Sequence, residues 1–225
     1  MLTLLRRLLF PRGLYCALCN KEYFSDDPYL CPECEETSSW AVHCRPLDGL
    51  TSVQVAGHFE SLQRECIHRF KYGNHRYLAE YLAAQMITLD APNDALLIPV
   101  PCHPRRKRQR GFSQTRELAR AITQQTRRPL DVRALKRIRN TPSQTTLGAK
   151  ERFRNVTGAF SADKKRVQGR HCLLIEDVVT TGATLQACAQ ALRNSGARSV
   201  SAWVLAGGDD IGFDAKNGQI ASTNF

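Results

Sequence analysis

The chain has 225 residues, of which 42% are hydrophobic, 24% charged and 8% aromatic. These proportions belong to a globular protein; they exclude disorder over the whole chain and leave room for one moderate domain plus a small appendage. Lysine and arginine outnumber aspartate and glutamate by 32 to 21, a net charge of +11, so the surface field favours anionic partners: phosphates, nucleotides, nucleic acid or anionic lipid.

The stretch from Met1 to Tyr15 is apolar, broken by Arg6 and Arg7 and stopped by Pro11. Its longest apolar run is far shorter than the ~20 residues of a bilayer span, and no small-residue cleavage site follows. A short helix packing Leu4, Leu5, Leu8 and Leu9 on the domain is expected, against the alternative of a membrane-surface helix with Arg6 and Arg7 at the headgroups. Without an export signal or a transmembrane segment the protein is expected in the reducing cytoplasm, with the inner face of the membrane as a second location. Cysteines there do not form a disulfide framework.

Five of the nine cysteines lie between Cys16 and Cys44. Cys16-Ala-Leu-Cys19 and Cys31-Pro-Glu-Cys34 are two CxxC pairs separated by a short loop. Each pair forms a tight knuckle, and two knuckles complete a tetrahedral four-thiolate set with Zn–S distances of about 2.3 Å. Such a set leaves no open coordination position, so the zinc is expected to be structural and to supply folding free energy that this apolar-poor segment lacks. His43 and Cys44 stay open between ligand and packing residue. A turn near Pro46 to Leu50 divides residues 1–48, with the metal module, from residues 49–206. Residues 207–225, rich in Gly, Asp and Asn, are expected to be a disordered tail.

Beyond the boundary, Ser52 to Phe59 reads as a strand and Glu60 to Lys71 as a helix with Leu62, Cys66, Ile67 and Phe70 on one face. A second helical period runs from His75 to Leu89. Ala95 to Val100 is a short apolar run of the kind buried on both faces of a sheet. Ser113 caps a helix to Thr126, with Leu118, Ala121 and Ile122 inward. Asn140 to Val156 lacks periodicity and is expected to be a mobile excursion. His171 to Ile175 is a strand, Ala183 to Asn194 a helix and Ser199 to Leu205 a strand. Alternating strands and helices predict an α/β domain with a mostly parallel sheet.

Leu173-Leu-Ile175 ends in Glu176 and Asp177, and Thr180-Thr181-Gly182-Ala183-Thr184 then opens a helix. In an open parallel sheet ligands bind at the carboxyl ends of strands, which puts the acids at the edge of a site. Gly182 lets the backbone approach a phosphate, the helix N-terminus offers free N–H groups, and the threonine hydroxyls add donors. A strand that merely ends at a polar helix cap needs neither two acids nor three threonines around a glycine.

This segment resembles the phosphoribosyl pyrophosphate (PRPP) signature of type I phosphoribosyltransferases. Phe70-Lys71-Tyr72-Gly73, Pro99-Val100-Pro101-x-His103, Arg110-Gly111-Phe112-Ser113-Gln114, Gln144-x-x-Leu147 and Arg152-x-x-Asn155-Val156-x-Gly158-Ala159-Phe160 follow the cysteine module in the order of the competence protein F (ComF and GntX-like) family. The resemblance runs from Cys16 to Leu205. Two departures are Cys44 standing alone where the family often has another cysteine pair, and Ser113 where it often has Asn.

The resemblance implies a phosphoribosyltransferase-like sheet flanked by helices, natural transformation or the use of external DNA as context, and PRPP with Mg²⁺ as ligand. Asp177 with Glu176 would hold the ribose hydroxyls, and Thr180, Thr181, Gly182, Ala183 and Thr184 the 5′-phosphate. Arg105, Arg106 and Arg110, in the basic stretch after Pro101, would take the pyrophosphate, with Lys71 a further phosphate ligand. The same stretch also reads as a solvated loop or a nucleic-acid contact, although no interleaved aromatics support base stacking. Gln144, Arg152 and Asn155 would belong to a loop that closes over the reaction, unless the stretch is a plain solvent loop. The implied reaction is substitution at the anomeric carbon of PRPP with an open acceptor. The alternative is a non-catalytic PRPP-binding module that contacts single-stranded DNA or a DNA-uptake protein.

Overall fold

The apolar runs pair into one sheet in a computed structural model that describes residues 15–23, 29–38, 40–72, 75–139, 149–207, 213–214 and 219–220. In chain order the first half holds α1 (Pro32–Glu36), β1 (His43–Cys44), β2 (Ser52–His58), α2 (Ser61–Tyr72), α3 (Leu78–Met86), β3 (Leu96–Pro99), α4 (Pro104–Arg110) and α5 (Gln114–Thr126). The second half holds β4 (Leu135–Arg137), α6 (Ala149–Val156), β5 (Phe160–Ala162), α7 (Lys164–Val167), β6 (His171–Val179), α8 (Ala183–Asn194) and β7 (Ser199–Gly207). Two short strands, β8 (Phe213–Asp214) and β9 (Gln219–Ile220), pair beyond it.

The main sheet has five strands in the order β1-β2-β7-β6-β3. The last four are parallel, and only β1 runs antiparallel, against β2. Alternate residues of the central strands serve two cores. Leu97, Leu173, Ile175, Trp203 and Leu205 face the layer of α2, α3 and α5. Leu96, Ile98, Leu174, Ala202 and Val204 face α8 and the β4–β5 hairpin. Covering on both faces explains why these strands read as unbroken apolar runs. The crossover after β3 runs through α5 on one face and the crossover after β6 through α8 on the other. The chain therefore diverges between β3 and β6, where an open sheet leaves a crevice at its carboxyl edge.

The cysteine segment is built into the first core. Cys16, Ala17, Leu18, Leu30 and Cys31 are buried in the same cluster as Ile67, Phe70, Leu78 and Leu82. Arg69 on α2 donates to the carbonyl of Ala17 at 2.8 Å, Tyr29 donates to Glu80 on α3 at 2.6 Å, and Trp40 donates to Tyr81 at 3.2 Å.

Several elements depart from the sequence expectation. The basic segment is a helix, α4, started by Pro104 and by the His103 side chain, which accepts from the N–H of Arg105 at 3.1 Å, and stopped by Gly111 in a left-handed conformation. Its Pro-Arg-Arg-Lys-Arg-Gln-Arg sequence has no apolar stripe, so periodicity cannot reveal it. The second half of the expected mobile excursion is also a helix, α6, anchored by the buried Val156; residues 140–148 lie outside the described residues. The helix expected from His75 begins only at Leu78. The N-terminal helix and most of the expected tail fall outside the described residues. Among the described residues no helix is long and apolar enough to cross a membrane.

Leu173 is fully buried on the central strand β6. Leu173→Ala is expected to cost about 2–5 kcal/mol of unfolding free energy in urea denaturation. A loss below ~1 kcal/mol would contradict its place in the core.

Candidate functional site

The crevice at the carboxyl ends of β3 and β6 is a cleft of about 1110 Å³. Its floor is the end of β6 and the loop into α8: Glu176, Asp177 and Thr180 to Thr184. One wall is α2, with Lys71, and the other is Pro101 to Arg110, with Arg105 and Arg110. The structure thus brings together all the phosphate and carboxylate candidates that the sequence singled out, apart from Arg106, whose side chain lies outside the described residues. Gln144 lies outside them as well, as does the side chain of Arg152 on α6. Asn155 is not among the residues lining the cleft.

Gly182 fixes the shape of the loop. It has φ of +79°, which favours glycine, and a Cβ there would stand 2.7 Å from the Leu47 methyl groups. Arg45, just after β1, donates to the carbonyl of Thr180 at 2.6 Å, and its half-buried guanidinium is pulled down to about 10 by burial. The stretch between β1 and β2 therefore braces the loop from behind. Neither Arg45 nor Leu47 carries a sequence signal for this role, because the contact bridges residues far apart in the chain.

The two acids differ in electrostatic state. The ammonium of Lys71 lies 2.9 Å from the Asp177 carboxylate, and both side chains are about 15% exposed. Burial alone would raise the Asp177 pKa, but the Lys71 charge, hydrogen bonds from Glu176 and Lys71, and the Arg110 charge hold it below its usual value. For Glu176 the N–H of Asp177 and the Lys71 charge act the same way but are outweighed. Burial, and then the negative charge of Asp177, push it well above the usual carboxylate range. The two neighbouring carboxyls are thus pulled in opposite directions. The stabilisation from Asp177 is present above the usual aspartate pKa and fades as pH falls through its depressed value.

Arg110 occupies the opposite wall. It donates to Gln114 at 3.0 Å and to the Tyr72 hydroxyl at 2.7 Å, and its guanidinium lies 4.7 Å from the Tyr72 ring centroid. Buried Thr115, at the start of α5, donates to the carbonyl of Val100 at 2.8 Å and ties that helix to the end of β3. The cleft also takes in Phe59, Arg64, His68, Tyr72 and Arg137, which the sequence reading did not assign to it. Helical spacing carried a signal for part of this group: 64, 68 and 72 share the face of α2 opposite Cys66 and Phe70.

Behind α2, the sulfurs of Cys16, Cys19, Cys31 and Cys34 all lie within 4.8 Å of one another. The backbone N–H groups of Leu18 and Cys19 approach the Cys16 sulfur at 3.4 and 3.5 Å, the geometry of a tight knuckle. Burial pushes the Cys16 thiol up, but N–H groups of Cys19, Cys31 and Leu18 outweigh it and lower the pKa to about 6. A four-sulfur set of this size can hold a metal ion such as zinc. His43 stands apart in β1, stacked on His58 with ring centroids 4.7 Å apart, and Cys44 pairs with Gln54; neither belongs to the cluster.

A phosphoribosyl transferase domain model matches residues 109–218. The chain is 32% identical over 206 residues to the DNA utilization protein YhgH of Shigella flexneri, covering 84% of this chain and 88% of that protein. It is 32% identical over 212 residues to competence protein F of Haemophilus influenzae, covering 85% and 89%. Among solved structures, the glutamine PRPP amidotransferase of B. subtilis aligns over 62% of this chain and 30% of that one, with 16% identity and a TM-score of 0.43.

Elemental analysis of purified protein is expected to find about one equivalent of thiolate-bound metal, lost in Cys34→Ser with a fall in melting temperature. Full stability without any metal would show that the cluster is held by packing alone.

Proposed function

This chain belongs to the competence protein F family of phosphoribosyltransferase-domain proteins, and on that footing we propose that it binds PRPP with Mg²⁺ in the cleft and serves DNA uptake or the use of external DNA. The observation that carries the reading is the joining of three features in one cleft: a glycine-hinged threonine loop at a helix N-terminus, a carboxyl pair, and cations on both walls. Thr180 to Thr184 would take the 5′-phosphate on backbone N–H groups and hydroxyls. Asp177 and Glu176 would take the ribose hydroxyls. Arg105, Arg106 and Arg110, with Lys71, would face the pyrophosphate. Zinc in the four-cysteine set is the structural metal of this reading.

Glu176 and Asp177 are hard oxygen donors at the floor of the cleft and suit Mg²⁺. Bound Mg²⁺ would supply charge neutralisation on the pyrophosphate oxygens. Phosphoribosyl transfer would break the bond from the anomeric carbon to pyrophosphate, the electron pair leaving with pyrophosphate, and form a bond from an acceptor lone pair to the same carbon. Positive charge builds on the ribose between these events, and ionised Asp177 stands ready to stabilise it. Lys71, freed from Asp177 as the sugar hydroxyls arrive, would turn its charge to the departing group. These roles need no nucleophile from the protein.

PRPP with Mg²⁺ at about 100 times its dissociation constant is expected to stabilise the protein by ~2.7 kcal/mol, a rise of about 5–10 °C in melting temperature. Asp177→Ala should abolish the rise. No shift at millimolar PRPP would overturn the reading. Pyrophosphate release on adding acceptors separates a transferase from a binding module.

A further inference from the structure

α2 presents Arg64, His68, Lys71 and Tyr72 to the cleft, a stripe at spacings of four, three and one, while Cys66, Ile67 and Phe70 are buried beneath it. Lys71 is engaged with Asp177 at the floor. Tyr72 steadies Arg110 through its hydroxyl and ring, while Arg64 and His68 have no task in holding PRPP as described above. The Arg64 guanidinium is exposed and has no hydrogen-bond or ion-pair partner among the described residues. Tyr72 is 54% exposed although it lines the cleft, and the His68 ring lies 4.9 Å from it, centroid to centroid. With the Arg110 guanidinium against the Tyr72 ring, this wall is a shelf of planar groups beside a free cation. The cleft, at about 1110 Å³, also exceeds the ~300–1,000 Å³ that usually holds a single small ligand.

We propose that the outer half of this cleft binds a second ligand bearing both a planar ring and a phosphate of its own, a nucleotide or the phosphorylated end of a nucleic-acid strand. Arg64 holds its phosphate, for which the fork of a guanidinium is suited. Tyr72 and His68 receive its ring. A bare base would leave Arg64 without a counter-charge, and a polyanion without rings would leave His68 and the exposed part of the Tyr72 ring uncovered. The inference rests on the reading that PRPP occupies the inner half, since the second ligand then sits beside it in a ternary complex.

The test is calorimetric titration with thymidine 5′-monophosphate, thymidine, and a short 5′-phosphorylated oligothymidylate, each with and without saturating PRPP and Mg²⁺. The nucleotide is expected to bind with PRPP present, and thymidine about tenfold more weakly. Arg64→Glu should weaken nucleotide binding about tenfold while leaving PRPP affinity unchanged, and Tyr72→Ala should weaken nucleotide and nucleoside alike. Tighter binding of the oligonucleotide than of the mononucleotide assigns the subsite to a strand end; equal binding assigns it to a free nucleotide. Displacement of PRPP by the nucleotide, an equal loss of PRPP affinity in Arg64→Glu, or no nucleotide binding at millimolar concentration overturns the proposal. Nucleotide binding through Arg64 in a protein that fails to bind PRPP upholds the subsite and overturns the PRPP reading instead.

Discussion

Two carboxyl groups on adjacent residues share a sheltered cleft, and the Lys71 ammonium sits against only one of them, so their acidities are driven apart. That ammonium, 2.9 Å from Asp177, draws the Asp177 carboxyl below its usual value, while burial, joined by the negative charge of Asp177, pushes Glu176 well above the usual carboxylate range. The rest of the structure can be viewed as the means of holding this arrangement. β6 delivers both acids to the carboxyl edge at the point where the chain diverges. α2 delivers Lys71 from across the crevice. The segment behind Gly182, through Leu47 and Arg45, keeps the adjoining loop at a fixed height.

The position of Lys71 depends on α2, and α2 depends on the cysteine segment. Cys66, Ile67 and Phe70 form the buried face of the helix, packed into the cluster that includes Cys16, Leu18 and Leu30, and Arg69 is hydrogen-bonded to Ala17. An apolar-poor segment of this kind has little cohesion of its own, and drawing four sulfurs around one ion would give it rigidity. The cluster lies outside the cleft, so its bearing on the site is mechanical: it backs the helix whose opposite face lines one wall. The same helix therefore carries the buried stripe, the Lys71 contact and the outward row of Arg64, His68 and Tyr72.

What the sequence disclosed follows from how local each feature is. The cysteine knuckles, the apolar strands and the loop from Glu176 to Thr184 are short-range patterns, so their spacing was readable and the fold class followed from the order of elements. α4 was hidden because a helix made of Pro, Arg, Lys and Gln has no apolar stripe; only its caps, His103 and Gly111, mark it. The pairing of Lys71 with Asp177 joins residues remote in sequence, and no composition or period encodes it. The same holds for Arg45 at Thr180 and Leu47 under Gly182. The surplus of positive charge is partly located: Arg64, Lys71, Arg105, Arg110 and Arg137 line the cleft, against Glu176 and Asp177.

The opposite displacement of the paired acids' pKa values is open to direct measurement by nuclear magnetic resonance. Carboxyl carbon shifts of Glu176 and Asp177 would be followed against pH in the ligand-free protein, with assignments from Glu176→Gln and Asp177→Asn. Asp177 should titrate below the usual aspartate value and Glu176 well above the usual glutamate value. Midpoints in the ordinary carboxylate range for both residues would contradict the account, because Lys71 would then not be selecting between them.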